Sequence, residues 1–107
     1  MTGVQTCALP IYHKKIIDAC AANHVAIELN AHPSRLDIDW RHIDYALEKN
    51  VLISIDPDAH TIEGFDDIRY GVLAAQKALV TKEQNLSSFG LKEFEAYLSK
   101  VSKAKRK

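Results

Sequence analysis

Apolar residues recur along this chain with two periods, one helical and one extended, and the two alternate. From His13 to Asn23, Ile16, Ile17, Cys20 and Ala21 fall on one face at helical spacing. Val25 to Leu29 then predicts a short strand, and Asn30-Ala31-His32-Pro33-Ser34 the loop after it. Asp39 is suited to cap a helix from Trp40 to Lys49, because a short carboxylate can accept from the free N–H groups of a first turn. Ile43, Ala46 and Leu47 form the apolar side of that helix. Val51-Leu52-Ile53-Ser54-Ile55 predicts a strand buried on both faces, as in a helix-covered parallel sheet. A polar loop runs on through Gly64, and Asp66 is placed to cap a helix from Asp67 to about Leu79, with Ile68, Val72, Ala75 and Leu79 in register. Thr81 to Leu86 predicts a turn or a single helical turn. Leu91 to about Lys103 predicts a last helix with Leu91, Phe94, Leu98 and Val101 on its face. Helices alternating with short apolar strands imply βαβ units, hence an α/β fold with parallel strands and flanking helices.

Composition narrows the picture a little. A chain of 107 residues, 47% hydrophobic, is enough for one small globular domain. No stretch reaches the ~20 apolar residues of a membrane span, so no membrane partner is expected. The two cysteines make no disulfide framework: Cys7 lies in a segment without period, and Cys20 falls on a helix face. That usage fits a reducing compartment and predicts a cytoplasmic protein. Net charge is zero, but Lys100, Lys103, Lys105, Arg106 and Lys107 crowd the end. The preceding 99 residues carry nine basic against fourteen acidic side chains, a net of −5. A solvated helix end complementing the macrodipole is the simpler account of the basic tail, and weak phosphate contact to nucleic acid the sharper one.

The densest chemical signal is Asp58-Ala59-His60, directly after the second strand. Ligands of parallel sheets collect at the carboxyl ends of the strands. In extended backbone, residues i and i+2 point the same way, so a carboxylate and an imidazole would aim at one point. Such a pair is half of a site for a divalent ion of the Zn, Mn or Fe kind. The plain alternative is a solvated turn in which Asp-x-His occurs by chance.

The wider context bears on that choice. Three segments, from Val25 through Trp40, from Ile53 through His60, and Gly64-Phe65-Asp66-Asp67-Ile68-Arg69-Tyr70-Gly71, resemble in order and spacing the end of a PHP (polymerase and histidinol phosphatase) domain. The version nearest to them is the one in bacterial family X DNA polymerases. The resemblance runs from about His13 to the last residues. It implies a distorted (β/α)7 barrel of which residues 12–107 supply the last βα units, too few strands to close it. Asp58 and His60 fall on the family's last metal-ligand motif. Asp56 departs from the pattern, where Asn, Thr or Ser would be expected, and adds negative charge. The family's His-x-His motif and its other ligands belong upstream, and none is present in this chain.

The resemblance implies divalent metal ions (Mn, Zn or Mg) as cofactors of the intact domain, with Asp58 and His60 each giving one donor. Its partners would be DNA and the missing N-terminal part of the same domain. Glu28, inside the first strand, is either a paired carboxylate or a group that positions the attacking water. His32, Arg35 and Arg69 are candidates for binding substrate phosphate, although Arg35 and Arg69 could equally pair with Asp37, Asp66 or Asp67. His13, His24 and His42 have no ligand spacing, and Trp40 suits packing better than base stacking. Residues 1–11, Thr2-Gly3-Val4-Gln5-Thr6-Cys7-Ala8-Leu9-Pro10-Ile11 behind Met1, look like translated sequencing adapter and are expected to be disordered. Their apolar run is too short and too free of positive charge for a secretory signal.

Three functions compete. The first is a fragment of the metal-dependent phosphoesterase domain of a family X DNA polymerase, acting in repair as a 3′–5′ exonuclease and inactive by itself. The second is a fragment of a stand-alone phosphatase of the histidinol-phosphatase type. The third is a non-catalytic structural module. Asn30-Ala31-His32-Pro33-Ser34-Arg35-Leu36-Asp37 favours the polymerase version, and retention of both Asp58 and His60 disfavours a degenerate site.

Overall fold

The computed structural model describes residues 13–105, so the adapter-like segment at residues 1–11 lies outside the described residues. The elements alternate as expected: α1 (His13–Asn23), β1 (Ile27–Asn30), α2 (Ile43–Glu48), β2 (Ile53–Asp56), α3 (Ile68–Lys77) and α4 (Leu91–Lys105). β1 and β2 pair in parallel, with Ile27 opposite Ile53 and Asn30 opposite Asp56. This is an α/β arrangement with a small parallel sheet. Because the pairing is in register, both strands end level and their loops leave from the same end.

The core is one cluster in which Ile17 of α1, Leu29 and Ala31, Ile43 and Ala46 of α2, Val51, Ile53 and Ile55, and Ala75 and Ala78 meet. Here the sheet departs from expectation. Ile53 and Ile55 are buried while Ser54 and Asp56 are only half covered, so β2 alternates instead of being buried on both faces. Glu28 likewise reaches solvent beside buried Leu29. One face carries the packing, and the other carries polar side chains. Both edges of the sheet are partly occupied by irregular chain. Asn30 N–H donates to the Asp37 carbonyl at 2.6 Å along β1, and on β2 the Ser87 hydroxyl accepts from Ile55 N–H and donates to the Ile55 carbonyl, each at 2.9 Å. Such cover blunts the exposed edges that two strands alone would present.

The helix ends repay inspection. Asp39 caps as predicted: its Oδ1 accepts from Arg41 N–H at 2.9 Å, ahead of a 3-10 turn at Trp40–His42 that leads into α2. The Arg41 guanidinium also forks onto the same carboxylate, and together these bonds hold Asp39 down to about 2. Asp66 does not cap. A 3-10 turn, Glu63–Asp67, runs straight into α3, and Ile68 N–H is already taken by the carbonyls of Phe65 and Asp66. At their other ends α1, α2 and α3 close alike, with His24, Asn50 and Leu79 at φ of 58°, 63° and 63°. The next N–H in each case bonds back to Cys20, Ala46 or Ala75 at 2.9 to 3.0 Å, the Schellman pattern.

Two predicted faces need correction. On α3 the sheet meets Gly71, Ala75 and Ala78, while Val72 and Leu79 are exposed. Close approach explains it, since a Cβ at Gly71 would lie 2.6 Å from Ile55 Cγ2 and 2.7 Å from Ala31 Cβ. Small residues let the helix sit down; Val72 and Leu79 cannot enter so thin a gap. On α4, Leu91, Phe94 and Leu98 are all exposed, and its aromatic contact is Tyr97 edge-on to Phe89 at 6.5 Å. Among the described residues no helix is long and apolar enough to cross a membrane.

Candidate metal site

Asn30 ends β1 and Asp56 ends β2, and Ala31 N–H ties the two exits together by donating to the Asp56 carbonyl at 2.7 Å. Pro57 follows, then Asp58 in the left-handed region at φ 55°. Asp tolerates that conformation better than most residues. The backbone here is therefore not extended, and the i, i+2 alternation does not hold. His60 is brought to Asp58 differently: its ring Nδ1 lies 2.8 Å from the Asp58 carbonyl oxygen. A carbonyl can only accept, so Nδ1 carries the proton and donates, which leaves the lone pair on Nε2. That is the usual way in which a metal-binding imidazole is oriented.

The Asp58 carboxylate is also held. Asn30 Nδ2 donates to Asp58 Oδ2 at 3.2 Å, leaving Oδ1 without a hydrogen-bond partner among the described residues. His60 Nε2 and Asp58 Oδ1 are thus two donors of the right chemistry for a divalent ion. They are not a complete set. Among the described residues, no three His, Cys, Asp or Glu side chains gather where one ion could be held. By donor chemistry the pair fits part of a coordination shell, one carboxylate oxygen and one imidazole nitrogen.

The surroundings are negative. Glu28 has its pKa raised, first by partial burial, then by side-chain hydrogen bonding with Asp56 and by the charges of Asp56, Asp58 and Asp37. Ser54 Oγ donates to Asp56 Oδ2 at 2.9 Å and fixes that carboxylate in turn. Glu28, Asp56 and Asp58 therefore share one field at the strand ends, which a cation would relieve.

The phosphate-binding candidates divide. His32 Nδ1 accepts from Ser34 N–H at 3.2 Å and lies 2.7 Å from Ser34 Oγ. Its neutral ring then carries the proton on Nε2, a donor that suits an anionic oxygen and not a metal. Arg35 is engaged with Asp37 through two bonds, Nε to Oδ1 at 3.0 Å and Nη2 to Oδ2 at 3.2 Å. Asp58 and Glu28 add to the pull of Asp37 that raises the Arg35 pKa, so this arginine belongs to the strand-end field. Arg69 does not. It lies 4.9 Å over the Tyr70 ring and donates to the Tyr70 hydroxyl at 3.0 Å, and the carboxylates it feels are Asp66 and Asp67. Asn30 and Ser54 are the residues that sequence reasoning passed over. The signal for Asn30 was an amide between Leu29 and Ala31, in a run that is otherwise core.

No protein-family model matches the chain. It is similar to the DNA polymerase/3′-5′ exonuclease PolX of Bacillus subtilis (strain 168), at 38% identity over 86 residues, which is 80% of this chain and 15% of that protein.

Proposed function

We propose that the chain is the C-terminal part of a PHP-type phosphoesterase domain, the last βα units of a (β/α)7 barrel, from a family X DNA polymerase. On this reading the parent is a cytoplasmic repair enzyme that hydrolyses DNA from the 3′ end. The observation that carries the reading is the 38% identity to PolX over 80% of the chain. The strand-end geometry supports it with suitable chemistry: an imidazole whose Nδ1 is committed to the Asp58 carbonyl, so that Nε2 is the ring nitrogen left for a cation, and a carboxylate with one oxygen committed. A divalent ion, Mn, Zn or Mg, supplies Lewis-acid activation of water and neutralises charge on a phosphoester when bound. Asp58 and His60 would hold it, together with ligands from the upstream part of the domain. Glu28, which keeps its proton more readily than an ordinary carboxylate, would hold or take a proton beside them; its raised pKa supports that role. His32 offers an N–H toward substrate oxygen.

The test joins residues 12–107 to the upstream part of the parent and follows release of nucleotides from 3′-labelled single-stranded DNA with Mn supplied. Hydrolysis is expected in the joined protein, with loss in Asp58→Ala and in His60→Ala, and none from the 107-residue chain alone. Cleavage of a phosphomonoester but not of DNA would point to the phosphatase alternative. A folded joined protein without hydrolysis of either would point to a structural module. Metal-dependent nuclease activity of the 107-residue chain, lost in the same two variants, would overturn the reading of the site as incomplete.

A further inference from the structure

We propose that Asn30 is a positioning residue, which fixes the Asp58 carboxylate and the His32 loop with the two ends of a single buried amide. The proposal rests on the reading of Asp58 and His60 as metal ligands. Asn30 is 3% exposed, the one polar residue among those buried in the described chain. A buried primary amide is unfavourable unless its donor and acceptor both find partners. Here they do: Nδ2 donates to Asp58 Oδ2 at 3.2 Å, and Oδ1 accepts from His32 N–H at 2.9 Å. One bond reaches 28 residues along the chain and the other only two. The amide thus links the loop after β1 to the loop after β2 from beneath.

The choice of an amide matters. Asp58 is exposed and itself holds a positive φ, ahead of a polar loop, so its carboxylate needs a partner to keep one orientation. Lys or Arg in place of Asn30 would hold it too, but would neutralise the charge that attracts a cation. Asp at this place would set a second like charge beside Asp58. The neutral N–H of Asn30 takes one carboxylate oxygen, leaves the charge in place and leaves Oδ1 without a hydrogen bond among the described residues. Outer hydrogen-bond partners of ligating carboxylates typically affect metal affinity about 10- to 100-fold. Asn30 touches no substrate or metal itself; it acts through Asp58.

The experiment titrates Zn2+ alone into the 107-residue chain through the millimolar range, following the His60 ring and the Asn30 side-chain amide by NMR. The backbone amide spectrum checks the fold of each variant. Asn30→Leu is expected to weaken Zn2+ binding about 10- to 100-fold. In an Asp58→Ala background, the same substitution should change the remaining affinity less than about twofold, because its route of action is gone. Affinity unchanged by Asn30→Leu, with Asp58→Ala and His60→Ala both damaging, would overturn the proposal and leave the ligand reading intact. Losses that multiply in the double variant would overturn it as well, since Asn30 would then act on the fold and not through Asp58. Binding untouched by Asp58→Ala and His60→Ala would defeat the ligand reading and the proposal with it. Should Asn30→Leu not fold, the unsubstituted chain decides: an Asn30 amide signal that moves with the His60 ring, and stops moving in Asp58→Ala, supports the proposal, and a stationary one refutes it.

Discussion

Gly71→Ala sets two known effects against each other. In a helix interior Ala is favoured over Gly by about 1 kcal/mol, so propensity alone predicts a more stable chain. The packing predicts the reverse. The added methyl would lie 2.6 Å from Ile55 Cγ2, 2.7 Å from Ala31 Cβ and 3.3 Å from Ala31 Cα. Carbon atoms in contact rest at about 3.5–4.0 Å, so α3 must lift off the sheet by about 1 Å. Overpacking of this kind costs about 1–3 kcal/mol. The difference leaves a net destabilisation of about 1 kcal/mol, and more for Gly71→Val. Urea unfolding read by fluorescence suits the question, because Trp40 is the chain's one tryptophan and Lys77 of α3 stands 4.4 Å over its ring. Lifting α3 should alter the folded-state emission as well as the midpoint. Ala31→Gly removes one of the two clashes. It should destabilise the chain by itself yet recover part of the loss in Gly71→Ala, a coupling on the order of 0.5–1 kcal/mol. A Gly71→Ala chain as stable as the original, or additive effects in the double variant, would mean that α3 does not rest on Ile55 and Ala31 as described.

Leu79→Gly should stabilise the chain by roughly 0.5–1 kcal/mol in the same assay, because Leu79 holds φ at 63° while 81% exposed and gives up little burial. His42, stacked 3.9 Å from His13, has its pKa lowered from 6.5, chiefly by burial and then by His13, with Arg41 adding and Asp39 and Asp44 opposing. The unfolded chain then takes up the proton first, so stability should fall as pH drops below about 6.5, and His42→Phe should flatten that slope in melts from pH 7.5 to 5. Glu28→Gln should raise stability at pH 7 without added cation, since the raised pKa means that its ionised form is disfavoured in the fold. That gain should vanish as pH falls below 4.5, where the carboxyl is protonated in both states; a gain that persists there would show that charge is not its cause.

The order of elements was legible because it rests on local periods. Helix and strand leave different spacings of apolar residues, and α1, β1, α2, β2, α3 and α4 follow those spacings closely. Asp39 could be named as a cap because a cap is decided within one turn of chain. What failed depended on distance. Val72 and Leu79 have the right period for a buried face, yet the face that packs on α3 is set by how near the sheet lies, and only Gly71 and the alanines permit that approach. The closures at His24, Asn50 and Leu79 escaped notice because no glycine marks them. Leu91, Phe94 and Leu98 show the converse: an amphipathic pattern fixes which face is apolar, not that the face is buried.

The site divides along the same line. Asp58 and His60 could be singled out as candidates from their place after a strand, but the ring-to-backbone contact that joins them could not. Extended backbone would have aligned the two side chains by alternation. The left-handed backbone at Asp58 removes that alignment, and a ring-to-carbonyl bond of 2.8 Å replaces it. The replacement is chemically stricter, because it selects the Nε2 lone pair, whereas alternation alone would have left the tautomer open. His32 shows the opposite selection, since accepting from Ser34 N–H leaves its Nε2 as a donor. Two histidines in the loops that follow neighbouring parallel strands therefore differ in their ring contacts, His60 with Nδ1 committed as a donor and His32 with Nδ1 committed as an acceptor. That difference follows from two short hydrogen-bonded loops, and no reading of residue types alone would have separated the two rings.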